Sequence, residues 1–307
     1  MCTAIHDGAL FGRTLDSERG FGERVLYTPR GFSWHFQGVR EFTSRYAILG
    51  MGIHYGENAL YFDAMNERGV AVAALNFPQS AVYLPAGEGY GNLPSFALIP
   101  YLLSLCHSAE EGAERLSWVN LTPDSLSEEL PASPLHFLLA DRKHCYTVEP
   151  LGEGLKVTEN PVGVLANEPD FAYHMTHLAD FSPLSPLPPH NSLCDGVALP
   201  LYSRGLGAFG LPGDFSSASR FVRGVYLKYH TERSAEISPV LRFFHIMDNL
   251  AVPRGAVRLS DGQAVSTLYT SCADLEAGVY YVTTERDRSV KGYAFGDFEK
   301  TRLTAEG

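Results

Sequence analysis

The 307-residue chain is short of positive charge, with 24 Lys and Arg against 35 Asp and Glu, a formal net charge of −11. Proteins that read DNA or RNA need clustered cations, so nucleic acid is excluded as a partner. Long apolar runs are also missing. None approaches the roughly eighteen residues of a membrane span, and no basic stretch with a signal-length apolar run follows Met1. A cytoplasmic protein with no membrane partner is expected. Cysteine is scarce: five residues, at 2, 106, 145, 194 and 272, odd in number, widely spaced and without a C-x-x-C pair, which argues against a disulfide framework, a zinc site or a redox centre. The close pair His174 and His177 lacks neighbouring ligand spacing. The Gly-rich run GLGAFGLPG is followed by no Gly-Lys-Ser/Thr, so it is no phosphate cradle. No metal and no cofactor is expected.

The most informative residue present is Cys2. Once Met1 is removed, one residue carries both a thiol and a free α-amine, whose ordinary pKa values are about 8.5 and about 7.7–8.0, so the amine can take the thiol's proton near neutral pH. The surrounding segment is MCTAIHDGALFGRTLD. Asp7-Gly8 is a strong two-residue hairpin signal between runs that can alternate across a sheet. With Asp7 and Gly8 at the centre, His6 faces Ala9 and paired positions sum to fifteen, which sets Cys2 directly opposite Arg13. A guanidinium at cross-strand distance favours thiolate over thiol. Asp16 is near enough to hold the α-ammonium group if the strand turns there.

With 45% hydrophobic and 19% charged residues the chain has an ordinary globular balance. Its first ninety residues read as strands and turns: the hairpin, VLYTP from Val25, RYAILGMGI from Arg45, and the pair ALYFDAM and VAVAALNF about the turn Asn66 to Gly69. Helical periodicity begins near Pro94 with SFALIPYLLSL. A second helix opens at Ser108 with a capping-box pattern, and a third short one is expected at Thr122-Pro123. Strands return at His136, at Cys145 and in VGVLAN ending at Asn167. Residues 181–213 read as loop. Helices follow from Asp214 to His230, capped by Asp214, Ser216 or Ser217, and from Ser238 to about Leu250 with Pro239 in the first turn. VSTLYTSC, GVYYVTTE and VKGYAF close the chain as strands. No repeat or linker divides this order, so residues 1–307 are expected to form one α+β domain of two stacked sheets covered by helices on both outer faces.

Three further segments carry polar groups to strand or helix ends: LNFP with Asn76, LANEP with Asn167, and LPGDFSSASRFVR with Arg220. Side-chain amides of this kind can donate to an oxyanion formed when a thiolate attacks a carbonyl. Together with MCTAI, FGRTLD, MNERGVAVAALNFP, FFHIMDNLAVPRGAV and TLYTSCADLEAGVYY, in order over nearly the whole chain, these motifs resemble the choloylglycine hydrolase family, which comprises bile salt hydrolases and penicillin V acylases with an N-terminal nucleophile.

That resemblance implies a four-layer αββα sandwich, a mature chain beginning at Cys2, and a homo-oligomer, commonly a tetramer. It implies Cys2 as nucleophile and base, Arg13 and Asp16 as its partners, Asn76 and Asn167 as the groups that bind the tetrahedral intermediate, and Arg220 as a stabiliser of the thiolate. LANEP departs from the family in lacking a Thr before Asn167. Asn rather than Tyr at 76 points to the bile salt branch, hence to a glycine- or taurine-conjugated bile salt as substrate. Ser203-Arg204-Gly205 resembles a loop motif associated with taurine conjugates and makes Arg204 a candidate substrate contact. The alternatives are a penicillin V or N-acyl-homoserine-lactone acylase and, in another class, a non-catalytic binding protein on the same scaffold.

Overall fold

The computed structural model describes residues 1–89, 91–128 and 131–298. Two seven-stranded sheets dominate. The strands of these sheets are β1 (Cys2–Asp7), β2 (Leu10–Ser17), β3 (Arg24–Thr28), β4 (Ile48–Tyr55), β5 (Asn58–Asn66), β6 (Ala71–Asn76), β7 (Leu135–Ala140), β8 (Cys145–Leu151), β9 (Gly154–Glu159), β10 (Val164–Leu165), β11 (Val257–Arg258), β12 (Ala264–Asp274), β13 (Val279–Thr284) and β14 (Lys291–Ala294). One sheet has the order β10-β1-β2-β12-β13-β14, with β11 paired to β12. The other runs β9-β8-β7-β6-β5-β4-β3.

The helices are α1 (Leu98–Leu105), α2 (Ala109–Leu116), α3 (Phe171–Leu178), α4 (Ser217–His230) and α5 (Pro239–Asp248). Apolar side chains form three layers: α1 and α2 against the second sheet, the two sheets against each other, and α4 and α5 against the first sheet. This is the expected αββα sandwich. β6 reads AVAALN because its first five residues are buried, and Asn76 emerges as its exposed last residue. Among the described residues no helix is long and apolar enough to cross a membrane.

The first hairpin forms, but in a register different from the expected one. Asp7 pairs with Leu10, Ala4 with Arg13 and Cys2 with Leu15, so the central turn residues are Gly8 and Ala9. Gly8 has φ +67° and Ala9, like every other described non-glycine residue, has no positive φ, the pattern of a turn with glycine at its first central position. Asp7 is kept in the strand because its buried carboxylate pairs with Arg233 and Arg242. The shift is two residues, and a two-residue shift leaves every side chain on its original face.

A second expectation fails at Thr122-Pro123. Thr122 ends a strand, Val119–Thr122, which pairs in parallel with Gly91–Pro94, and its hydroxyl donates to Asp124 at 2.6 Å. Pairing across the chain thus overrides a local helix-start signal. α3 was not expected. Asp170 caps it by accepting from the Tyr173 amide at 3.0 Å. At α4 the cap is Ser216, which puts Arg220 in the first turns.

Candidate active site

The site is built where three chain segments meet. β1 lies between β10 and β2 in the first sheet. Because Ala4 is paired with Leu165, two more residues along the same line bring Asn167 to Cys2. The Cys2 nitrogen donates to Asn167 Oδ1 at 2.8 Å. Asn167 Nδ2 in turn donates to the carbonyl of Asn76 at 2.8 Å, at the end of β6 in the second sheet. The Asn167 main chain is fixed as well, its N–H on Ser217 Oγ at 2.8 Å and its carbonyl against His174 Nε2 at 2.9 Å. The carboxamide of Asn76 is exposed and has no hydrogen-bond partner among the described residues.

Arg13 reaches the thiol from a diagonal position, which a long side chain can span. Its Nη2 is 2.5 Å from Cys2 Sγ. Nε donates to the Thr14 carbonyl at 3.2 Å, and Nη1 to the carbonyls of Phe62 at 3.2 Å and of Ala74. Only 1% of Arg13 and 3% of Cys2 is exposed, so this is a buried cation aimed at a buried thiol. Burial opposes the charge, yet the Cys2 thiol, Tyr269, Asp63 and Asp16 hold the guanidinium pKa above its ordinary value.

Arg220, wholly buried, donates Nη1 to the Cys2 carbonyl and, at 2.5 Å, to Thr3 Oγ1. It also donates Nη2 to Asn167 Oδ1 at 2.6 Å and Nε to the Phe215 carbonyl at 3.0 Å. These bonds grip the Cys2 backbone and the amide beside it, whereas Arg13 faces the sulfur. Burial pulls the Arg220 pKa down, against the pull of Asp16 and Cys2.

The strand does not turn at Asp16. β2 runs on to Ser17, and the backbones of Asp16 and Met1 pair through bonds of 2.9 and 3.0 Å. The Asp16 carboxylate accepts from Thr267 Oγ1 at 2.6 Å and Thr14 Oγ1 at 3.3 Å. Arg204 is exposed in the loop before a short turn at Leu206–Ala208, and no described contact joins it to Cys2. Sequence reasoning missed Thr3, Ser217, Thr267 and the buried Asp63. The last had a visible signal, a lone acid in the otherwise apolar run ALYFDAM.

A thiol with its own chain nitrogen held by an amide oxygen, a guanidinium on its sulfur and a free carboxamide nearby is equipped to open an amide through a covalent intermediate. Residues 2–299 match the model of the choloylglycine hydrolase family, linear amide C–N hydrolases. The chain belongs to the choloylglycine hydrolase family. Among relatives, it is 41% identical over 288 residues to a bile salt hydrolase/transferase of Lactiplantibacillus plantarum, covering 92% of this chain and 89% of the relative. The crystal structure of a conjugated bile acid hydrolase mutant from Clostridium perfringens superposes with a TM-score of 0.89 at 33% identity, over 97% of this chain and 93% of the other. A penicillin V acylase from Agrobacterium tumefaciens shares the fold, with a TM-score of 0.75 at 19% identity over 96% and 86% of the two chains. The chain therefore has the N-terminal nucleophile hydrolase type of αββα sandwich.

Proposed function

We propose that the chain hydrolyses the amide of glycine- or taurine-conjugated bile salts, with the mature protein beginning at Cys2. In this reading the α-amine takes the thiol proton and the thiolate, facing Arg13, attacks the amide carbonyl. Asn76 and Asn167 donate to the oxyanion. The C–N bond then breaks, the amino acid leaves with the proton carried by the α-amine, and a thioester remains on Cys2. Water cleaves the thioester to free bile acid and thiol. An amine in place of water would give a new amide, a group transfer on the same thioester; the Lactiplantibacillus plantarum relative is named a hydrolase/transferase. The observation that carries the reading is the 2.8 Å contact between the Cys2 nitrogen and Asn167 Oδ1, beside the 2.5 Å contact of the sulfur with Arg13.

The relatives named for bile salts and the Asn at position 76 favour bile salts over penicillin V. Apolar burial would supply most of the binding of the steroid. With glycine conjugates, taurine conjugates and penicillin V assayed side by side, the conjugated bile salts are expected to give the higher kcat/KM. A higher value for penicillin V would replace this substrate with the acylase alternative and leave Cys2 untouched.

The same proposal takes the protein as a homo-oligomer, a tetramer by the family resemblance. Supporting it, Leu187, Leu193, Tyr202 and Phe209 stand 69–88% exposed in one loop segment, apolar side chains that a partner copy could cover. Sedimentation velocity at micromolar protein is expected to show the oligomer, and a monomer alone would remove this part.

A further inference from the structure

Asp63 on β5 is 1% exposed and takes no part in the reaction described above. Its carboxylate crosses the layer between the sheets and accepts three hydroxyl hydrogen bonds: from Tyr269 at 2.5 Å on one oxygen, and from Tyr280 at 2.6 Å and Ser271 at 2.8 Å on the other. The two tyrosine distances fall in the range of O–H···O⁻ bonds. Ser271 Oγ also accepts from the Arg13 amide at 3.1 Å, and the residue before Asp63 supplies a carbonyl to the Arg13 guanidinium. The groups facing Asp63 are thus Arg13 from β2, Tyr269 and Ser271 from β12 and Tyr280 from β13, with Cys2 beyond Arg13. Burial holds the carboxyl above its ordinary range, and Arg13 and the three hydroxyl donors oppose that rise.

We propose that Asp63 is a positioning residue of the reaction, the fixed counter-charge of Arg13, which acts on Cys2 only through that guanidinium. The inference rests on Cys2 being the nucleophile. During turnover Cys2 is in turn a neutral thiol, an anionic thiolate and a neutral thioester, while Arg13 stays buried and charged. A buried cation without a partner is costly. If the thiolate were the only partner, every step that neutralises the sulfur would strand the guanidinium, and the nucleophile would be too well stabilised to attack. A permanent carboxylate balances Arg13 in all three states.

Asp63→Asn keeps the shape and removes the charge. The unopposed Arg13 should then favour thiolate, so the pH midpoint for alkylation of Cys2 by iodoacetamide is expected to fall by about half a unit or more. The kcat for a conjugated bile salt is expected to drop on the order of tenfold to a hundredfold, with KM held within about threefold. Tyr280→Phe removes one donor and keeps the carboxylate. It is expected to shift the midpoint in the opposite direction by less, because the carboxylate's charge is then less screened, and to move the acid limb of kcat to higher pH. A folded Asp63→Asn protein with the parent midpoint overturns the proposal, whether or not its activity falls. If that variant does not fold, Tyr280→Phe decides, and a midpoint and acid limb equal to the parent's overturn it. The alkylation reading needs no substrate, so failure of the bile-salt reading would appear separately, as absent turnover by the parent enzyme.

Discussion

Cys2→Ala is expected to lower kcat by roughly 10⁵- to 10⁶-fold, the scale seen when a covalent nucleophile is removed, with the thermal transition of the fold retained. The four other cysteines provide an internal comparison. Burial pushes the Cys106 thiol up to about 11 and the Cys145 thiol up to about 12, and it raises Cys272 well above its ordinary value. These three stay protonated at neutral pH, and a protonated thiol is a poor nucleophile. Cys194 is half-buried in a loop with Asn191 as its neighbour. Alanine at any of these four positions is expected to leave kcat within a fewfold of the parent, and an equal collapse at one of them in a folded protein would unseat Cys2. The assignment has a second arm, because an extra residue retained ahead of Cys2 turns the amine into an amide nitrogen with no basic lone pair. Such a protein is expected to be as inactive as the alanine variant. Robust turnover with Met1 in place, shown by intact mass, would remove the α-amine as base.

Asn167→Ala is expected to lower kcat by about a hundred- to a thousandfold, the usual cost of one oxyanion donor, with a much smaller change in KM. A rise in KM alone would make Asn167 a binding residue instead. The structure gives this substitution two further consequences. Asn167 Oδ1 accepts from both the Cys2 nitrogen and Arg220, so its loss leaves the buried Arg220 Nη2 without that acceptor. The tie from Nδ2 to the Asn76 carbonyl disappears too. Asn167→Asp keeps the acceptor oxygens and replaces the donor. It separates the roles: an activity as low as that of the alanine variant points to the lost N–H, and a recovered one points to the grip on the amine.

Much of this arrangement was legible in the residues. Alternation and turn chemistry marked the strands, and the capping serines marked α2, α4 and α5. What escaped was decided at long range. The hairpin register depended on Asp7 pairing with Arg233 and Arg242, more than two hundred residues away, so counting from the turn misplaced Cys2 by two positions. The two-residue period protected the inference, since Arg13 kept its face and still meets the sulfur. Thr122-Pro123 carries a helix-start signal that a parallel ladder with Gly91–Pro94 overrules. For the site, Cys2 stood out by position, Arg13 and Asp16 followed from the hairpin, and the roles of Asn76, Asn167 and Arg220 came with the family motifs. Asp63 was visible as a lone acid in an apolar strand, but its role, like that of Thr267, could be recognised only once partners from distant strands were in place.

The bond from Asn167 Nδ2 to the Asn76 carbonyl fastens one sheet to the other at the very residue that holds the Cys2 nitrogen, the amine of the proposed nucleophile. Chemistry and cohesion therefore share a single rivet at this edge of the sandwich. A brief parting of the sheets there would release the amine from its acceptor before the core had unfolded, so the enzyme would fall silent at strains its overall fold survives, and recover when the edge closes.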